Sequence, residues 1–275
     1  MRLGNGRAHR LAGLWLGTLA LLACGESQHG RPSARAADHR NAQHAAPPRA
    51  PGGDVLGSEL AASDGPEQQQ ARQRMVQLQI VERGVRDERV LQAMRKVPRH
   101  AFVAKELEPR AYEDYPLPIE AGQTISQPYI VAVMSELAAV SPGEKVLEVG
   151  TGSGYQAAVL AALGARVYSI EIVEQLASSA RERLRRLGVA AEVRHGDGYA
   201  GWLEAAPFDA IVVTAAPPEV PAPLREQLAV GGRLVAPVGR GSQHLLVLTR
   251  TATGYEERKV LPVRFVPMTG KAQER

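Results

Sequence analysis

Three glycines at alternate positions, Gly150, Gly152 and Gly154, interrupt an apolar run that begins near Lys145 and gives way to a helical pattern at Tyr155. Lacking Cβ atoms, such a loop lets a ligand approach the backbone, and the helix after it offers free N–H groups at its start. Glu148, Thr151 and Ser153 belong to the same candidate cradle. About 20 residues past the first glycine, a second apolar run from Ala165 ends in Glu171, a carboxylate placed to hold a pair of ribose hydroxyls. A close-approach loop followed by an acid at the next strand end describes a site for a nucleotide-like cofactor.

The spacing selects among such cofactors. A dinucleotide loop reads G-x-G-x-x-G, its last glycine permitting close helix–strand packing beside a pyrophosphate. This chain reads G-x-G-x-G and then has Tyr155 where that last glycine would stand. The departure favours S-adenosyl-L-methionine, which carries no phosphate, over NAD or FAD. Farther on, His195-Gly-Asp-Gly198 closes a third strand read from Ala191 to Asp197. In methyltransferases an acid here commonly binds the adenine amino group, so by that likeness Asp197 and Gly198 join the cofactor set. His195, within the approach of the strand, reads as structural. Upstream, Gln123, Thr124, Ser126 and Gln127 place hydroxyl and amide groups just before the cofactor strand, within reach of the substrate end of a cleft.

The elements that must carry these residues follow from periodicity and punctuation. Apolar residues including Met75, Leu78 and Val81 predict a helix over Gln68–Glu82, closed by Gly84. Asp87 caps a second helix whose Val90, Leu91, Met94 and Val97 share a face, and Pro98 stops it. Residues 115–127 hold two prolines, Pro116 and Pro118, and a glycine, which suit neither a long helix nor a buried strand. Pro128 then opens a helix over Tyr129–Val140. Strands are expected at 145–149, 165–171, 191–197, 208–216 and 231–239, with helices over Glu174–Leu187 and Leu224–Val230 between them. A closing antiparallel pair is expected at 245–249 and 257–266. This alternation specifies a doubly wound, Rossmann-like α/β sheet with an N-terminal helical subdomain.

Residues 1–24 resemble a targeting leader: basic Arg2, Arg7 and Arg10, an apolar run from Leu11 to Ala23, then Cys24. The run is short for a membrane span. Leu21-Leu-Ala-Cys24 resembles a bacterial lipobox, which would make Cys24 a lipid anchor. Residues 25–66, rich in Ala, Pro, Gly, Arg and His, read as a disordered tether, and 67–275 as the folded domain. Cys24 is the only cysteine, which excludes an intrachain disulfide and cysteine-based metal sites. His29, His39 and His44 are too irregularly spaced for a metal claim, and no metal is expected. The net charge of +4 is modest, and Arg181, Arg183, Arg185 and Arg186 read as a solvated helix face, so no nucleic-acid partner is expected.

Five segments then bring a family into view. Gln123-Thr-Ile-Ser-Gln-Pro-Tyr129, Leu147-Glu-Val-Gly-Thr-Gly-Ser-Gly-Tyr155, His195-Gly-Asp-Gly198, Phe208-Asp-Ala-Ile-Val-Val-Thr-Ala-Ala-Pro-Pro218 and Val263-Arg-Phe-Val-Pro-Met268 together resemble the protein-L-isoaspartate O-methyltransferase family, over roughly residues 70 to 270. The resemblance implies carboxyl methylation of isoaspartyl and D-aspartyl residues in damaged proteins and peptides, with S-adenosyl-L-methionine as donor. It assigns Ser126 as the active-site residue, Thr124 and Gln127 as pocket residues, and Ala215, Ala216 and Pro217 as lining of the peptide channel. It also implies a cytoplasmic enzyme, whereas the leader points to an exported lipoprotein; a monomer is expected. A downstream start, with Met75 as its candidate, would remove that leader.

Overall fold

The computed structural model describes residues 64–270, so the leader and nearly all of the tether lie outside the described residues. Gly65 precedes α1 (Pro66–Met75), and the chain continues without a break into a wider π-helical segment, Val76–Val81. The single helix expected over 68–82 is thus two coils of different pitch, which together bury Met75, Val76 and Ile80. Helix α2 (Glu88–Lys96) is capped as expected: Asp87 Oδ1 accepts from the Arg89 N–H at 2.9 Å.

The segment before the cofactor strand is a small hairpin. Strands β1 (Leu117–Pro118) and β2 (Thr124–Ile125) pair antiparallel across a turn in which Ala121 and Gly122 are both left-handed. Helix α3 (Pro128–Ala138) follows. The remaining strands are β3 (Lys145–Val149), β4 (Arg166–Glu171), β5 (Ala191–His195), β6 (Phe208–Val213), β7 (Leu228–Val238), β8 (Gln243–Arg250) and β9 (Tyr255–Val263). Helices α4 (Tyr155–Ala162), α5 (Glu174–Arg186) and α6 (Ala222–Glu226) complete the alternation.

These seven strands form one sheet in the order β5-β4-β3-β6-β7-β8-β9, parallel through β7 and antiparallel over the last two pairings. Alternation along each strand feeds two cores. Val146, Val167, Val212 and Val235 face the side covered by the N-terminal helices, α3 and α4, while Leu147, Ile170, Ile211 and Leu234 face the side with Leu224 of α6.

Several boundaries differ from the sequence-based expectation, β6 ending at Val213 rather than Ala216 and β9 at Val263 rather than Val266, and two of the differences have plain physical reasons. The helix expected over 224–230 ends at Glu226, because Leu228 pairs with Phe208 and a bulge at Gly231–Gly232 restores register at Arg233 opposite Ala210. The bulge extrudes Val230, which is 65% exposed, so its apolar character there reports no core. Strand β5 ends at His195 rather than Asp197, and Asp197–Gly198 form the turn beyond it. Among the described residues, no helix is long and apolar enough to cross a membrane.

Candidate active site

From β3 the chain winds outward through β4 and β5, then returns to place β6 on the other side of β3. The carboxyl ends of β3 and β6 therefore bound a topological switch point, where open α/β sheets bind ligands. A cleft opens there, lined by Gly150, Gly152, Glu171, Gly198, Thr214 and Ala215 from the strand ends, by Gln123 and Thr124 of the hairpin, and by Val266 to Thr269. The two strand ends approach so closely that a Cβ on Gly150, where φ is +97°, would lie 2.4 Å from Thr214 Oγ1. That hydroxyl in turn donates to the carbonyl of Gly150 at 2.6 Å.

The glycine loop spends its own donors. Gly150 N–H goes to Ile170 O at 2.8 Å, Gly152 N–H to Glu171 Oε2 at 2.8 Å and Gly154 N–H to Thr151 O at 2.8 Å. Tyr155 N–H, at the start of α4, points to Ser153 Oγ. The first N–H of this helix is thus turned to the loop, and its first residues, Tyr155 to Ala157, are buried. A phosphate would find few donors here, whereas the Glu171 carboxylate, fixed by Gly152 N–H and Val173 N–H (3.0 Å), keeps acceptor capacity toward the cleft. This chemistry fits a ribose-bearing cofactor without phosphates.

Glu148 shares the parity of Val146, so its side chain enters the helix-covered core and is fully buried. Ser169 donates to its Oε2, Thr151 Oγ1 lies 2.6 Å from that serine hydroxyl, and Oε1 has no hydrogen-bond partner among the described residues. Burial pushes this carboxyl up to about 8, with the nearby Glu171 charge adding and the Ser169 hydrogen bond opposing. The carboxyl lines a small inner pocket beneath the loop, together with Thr151, Ser153 and Gln156.

A second and larger cavity, of about 730 Å³, lies outside. Thr124, Ser126 and Thr214 line both this groove and the inner pocket, so three hydroxyl-bearing residues stand at their junction. Thr214 is committed to backbone carbonyls. The Ser126 hydroxyl makes no hydrogen bond among the described residues, and Gln127, not Ser126, stands at the N-cap of α3, with no side-chain cap bond, so the serine is not spent as a helix cap. Gln127 also lines the groove, with its Nε2 donating to Asp114 O and Oδ1, both at 2.9 Å.

Not every residue singled out from sequence reaches the cleft. Asp197 lines a neighbouring cavity and accepts from Tyr199 N–H through Oδ1; a Cβ on Gly270 would approach that oxygen to 2.4 Å. Ala216 pairs its N–H and carbonyl with Val266 and Met268, and Pro217 O accepts from Gly239 N–H, so these backbones build the wall of the cleft. His195 bonds Ile172 O through its ring.

Other contributors were not singled out as site residues. Thr214 is a hydroxyl ending an apolar strand at the sheet's carboxyl edge, a signal that could have been read. Val266 to Thr269 return from the far edge of the sheet, which local sequence does not reveal. Of the α5 arginines, Arg185 and Arg186 are exposed as expected, but Arg183 does more than cover a solvated face. Arg183, its side chain 15% exposed, donates to Ser153 O at 2.9 Å and lies 3.6 Å from Glu120, tying the glycine loop to the hairpin.

The mostly parallel sheet, its switch-point cleft and a glycine loop facing Glu171 are those of a methyltransferase of the Rossmann-like α/β class. Residues 69–273 match the protein-L-isoaspartate(D-aspartate) O-methyltransferase (PCMT) family, and the chain belongs to it. It is 60% identical over 198 residues to the protein-L-isoaspartate O-methyltransferase of Gloeobacter violaceus, covering 71% of this chain and 97% of that one. With the Synechococcus sp. (strain JA-2-3B'a(2-13)) enzyme of the same name it shares 58% over 206 residues, 72% of this chain and 84% of that one. Among solved structures, a protein-L-isoaspartate O-methyltransferase superposes with a TM-score of 0.67 at 30% identity, covering 72% of this chain and 66% of that one. A Plasmodium falciparum protein described as the same enzyme, solved in complex with S-adenosyl-L-homocysteine, gives 0.64 at 26% identity, covering 72% and 98%.

Proposed function

We propose that the chain methylates the free carboxylate of L-isoaspartyl and D-aspartyl residues in damaged proteins and peptides, with Ser126 presenting that carboxylate at the junction of the outer groove and the inner pocket. When bound, S-adenosyl-L-methionine supplies an electrophilic methyl group. Glu171 would hold its ribose, Gly198 and, from the cavity next to it, Asp197 its adenine end, and the loop from Gly150 to Gly154 with Glu148 beneath it the remainder. The methyl ester formed on an isoaspartyl residue closes to a succinimide, which reopens in part to normal aspartate and so begins repair.

The residues present suit this reaction because little proton chemistry is required. A carboxylate with an ordinary pKa of about 4 is already ionised at neutral pH, so no general base has to be found in the groove. What remains is alignment and removal of water from the nucleophile. Ile130, Leu261, Phe265 and Val266 give the groove apolar walls. Ser126, and Thr124 beside it, have hydroxyls to donate to a carboxylate oxygen and fix its direction.

The single observation that carries this reading is the unpartnered Ser126 hydroxyl where the two cavities meet. It is tested by labelled methyl transfer to a matched peptide pair, one with isoaspartate and one with normal aspartate. Base-labile label on the isoaspartyl peptide alone is expected. Ser126→Ala removes a hydrogen bond to a charged group and lowers kcat/KM on the order of 10- to 100-fold; a variant within twofold of the parent would remove Ser126 from the mechanism.

We infer a cytoplasmic location from the supply of S-adenosyl-L-methionine; the lipobox-like Leu21–Cys24 favours export instead. An intact mass from the native cells, read for cleavage and lipid at Cys24, separates the two.

A further inference from the structure

The groove outside Ser126 carries charge of one sign. Its lining includes two charged side chains, Arg83 and Arg264, and no acidic one. Arg83 is occupied: its guanidinium lies 3.5 Å from the centroid of the Tyr129 ring, and Nη1 donates to Asp114 Oδ2 at 2.9 Å. Arg264 is exposed, and its side chain has no hydrogen bond or ion pair among the described residues. The backbone that carries it is anchored, because Phe265 N–H donates to Gln243 Oε1 at 2.6 Å and Val266 O accepts from Ala216 N–H at 2.8 Å. A long, unpaired cation thus stands on a fixed segment at the wall of the cavity that Ser126 reaches.

We propose that Arg264 is a specificity-determining residue that favours isoaspartyl sites with an acidic side chain close by in the substrate sequence. The proposal rests on reading this groove as the peptide channel. The reacting carboxylate itself is a poor partner for Arg264, since a guanidinium paired with it would stabilise the nucleophile before transfer and slow the reaction. A flanking carboxylate is different: attraction to it is the same before and during methyl transfer, so it lowers KM and leaves kcat alone. An exposed ion pair of this kind changes KM by about fivefold at most.

The test uses isoaspartyl peptides identical except for Glu, Gln or Lys two residues to either side of the isoaspartate. On the side that faces Arg264, the parent enzyme shows a KM about fivefold lower for Glu than for Lys, with similar kcat, and the gap narrows as salt rises to about 0.5 M. Arg264→Gln removes the ranking, Arg264→Glu inverts it and Arg264→Lys keeps it, each variant melting near the parent's temperature. An unchanged ranking in Arg264→Gln would overturn the proposal. So would an equal loss on every peptide with a fall in kcat, which would place Arg264 on the reacting carboxylate. If the parent labels no isoaspartyl peptide of any charge, the reading of the channel fails first.

Discussion

Replacing Glu148 with glutamine should make the unliganded protein more stable at pH 8 while changing little at pH 4.5. The wild-type carboxyl is fully buried, and burial raises it from an ordinary 4.5 to about 8. Between those values the folded protein holds a proton that the unfolded chain has released. Stability linked to this group is therefore fully present below about pH 4.5 and declines as pH rises, until the folded form also ionises near pH 8. At about 1.4 kcal/mol per pH unit, the interval sets a ceiling of about 5 kcal/mol on the loss. Relaxation of the pocket and water entry would lower the observed figure. The glutamine has nearly the same shape and cannot ionise, so its stability lacks this slope, and subtracting the two curves isolates this carboxyl together with its coupling to Glu171. Urea denaturation of both from pH 4.5 to 8.5 in half-unit steps gives the difference directly. Parallel curves would refute the reasoning, because they would mean that the native carboxyl titrates as it does in the unfolded chain.

Two further substitutions test how the site is positioned. Gly150→Ala places a methyl group 2.4 Å from Thr214 Oγ1 at a φ of +97°, and is expected to cost about 2–3 kcal/mol and to weaken S-adenosyl-L-homocysteine binding at least tenfold by calorimetry; unchanged binding would show that the strand ends can part freely. Arg72→Met takes the partner from Asp64 (Nη2–Oδ2 2.6 Å) and a donor from Tyr112, in a site where Arg72 is 5% exposed. A loss of about 2–3 kcal/mol in urea melts is expected, and most of it should vanish when Asp64→Asn is the background.

What the sequence made legible was whatever depends on local pattern. Apolar runs, glycines and prolines placed β3, β4, β6 and α5 to within a residue or a few, and the acid ending β4 was found because its distance from the glycine loop is set by one βαβ turn. Long-range pairing was not legible. The helix expected to reach Val230 fails because a glycine bulge keeps Leu228 in register with Phe208, a constraint from a strand twenty residues away. The backbones of Ala216 and Pro217 are taken up by Val266, Met268 and Gly239 for the same kind of reason. Arg183 looked like one of several arginines on a charged helix, and only the meeting of α5 with the hairpin and the loop gives it a carbonyl to hold.

Tyr155 joins these observations. In the sequence it marks the missing third glycine and so argues against a pyrophosphate; the structure supplies the reason an aromatic can stand there. Its side chain is 1% exposed and turns toward the N-terminal helices, meeting Phe102 edge-on at 5.4 Å, the Arg99 guanidinium at 5.1 Å and Met94 Sδ through its hydroxyl. A glycine would leave that volume empty, and filling it couples the start of α4 to the N-terminal subdomain. Arg99 is the cost of this arrangement: it is buried with both terminal nitrogens unpartnered among the described residues, and burial lowers it to about 10. The N-terminal helices thus do more than cover one face of the sheet. Through Tyr155 they hold the start of the helix that follows the glycine loop, and through the hairpin that follows them they supply Thr124 and Ser126 to the substrate side, so cofactor loop and substrate groove are referred to one packed unit.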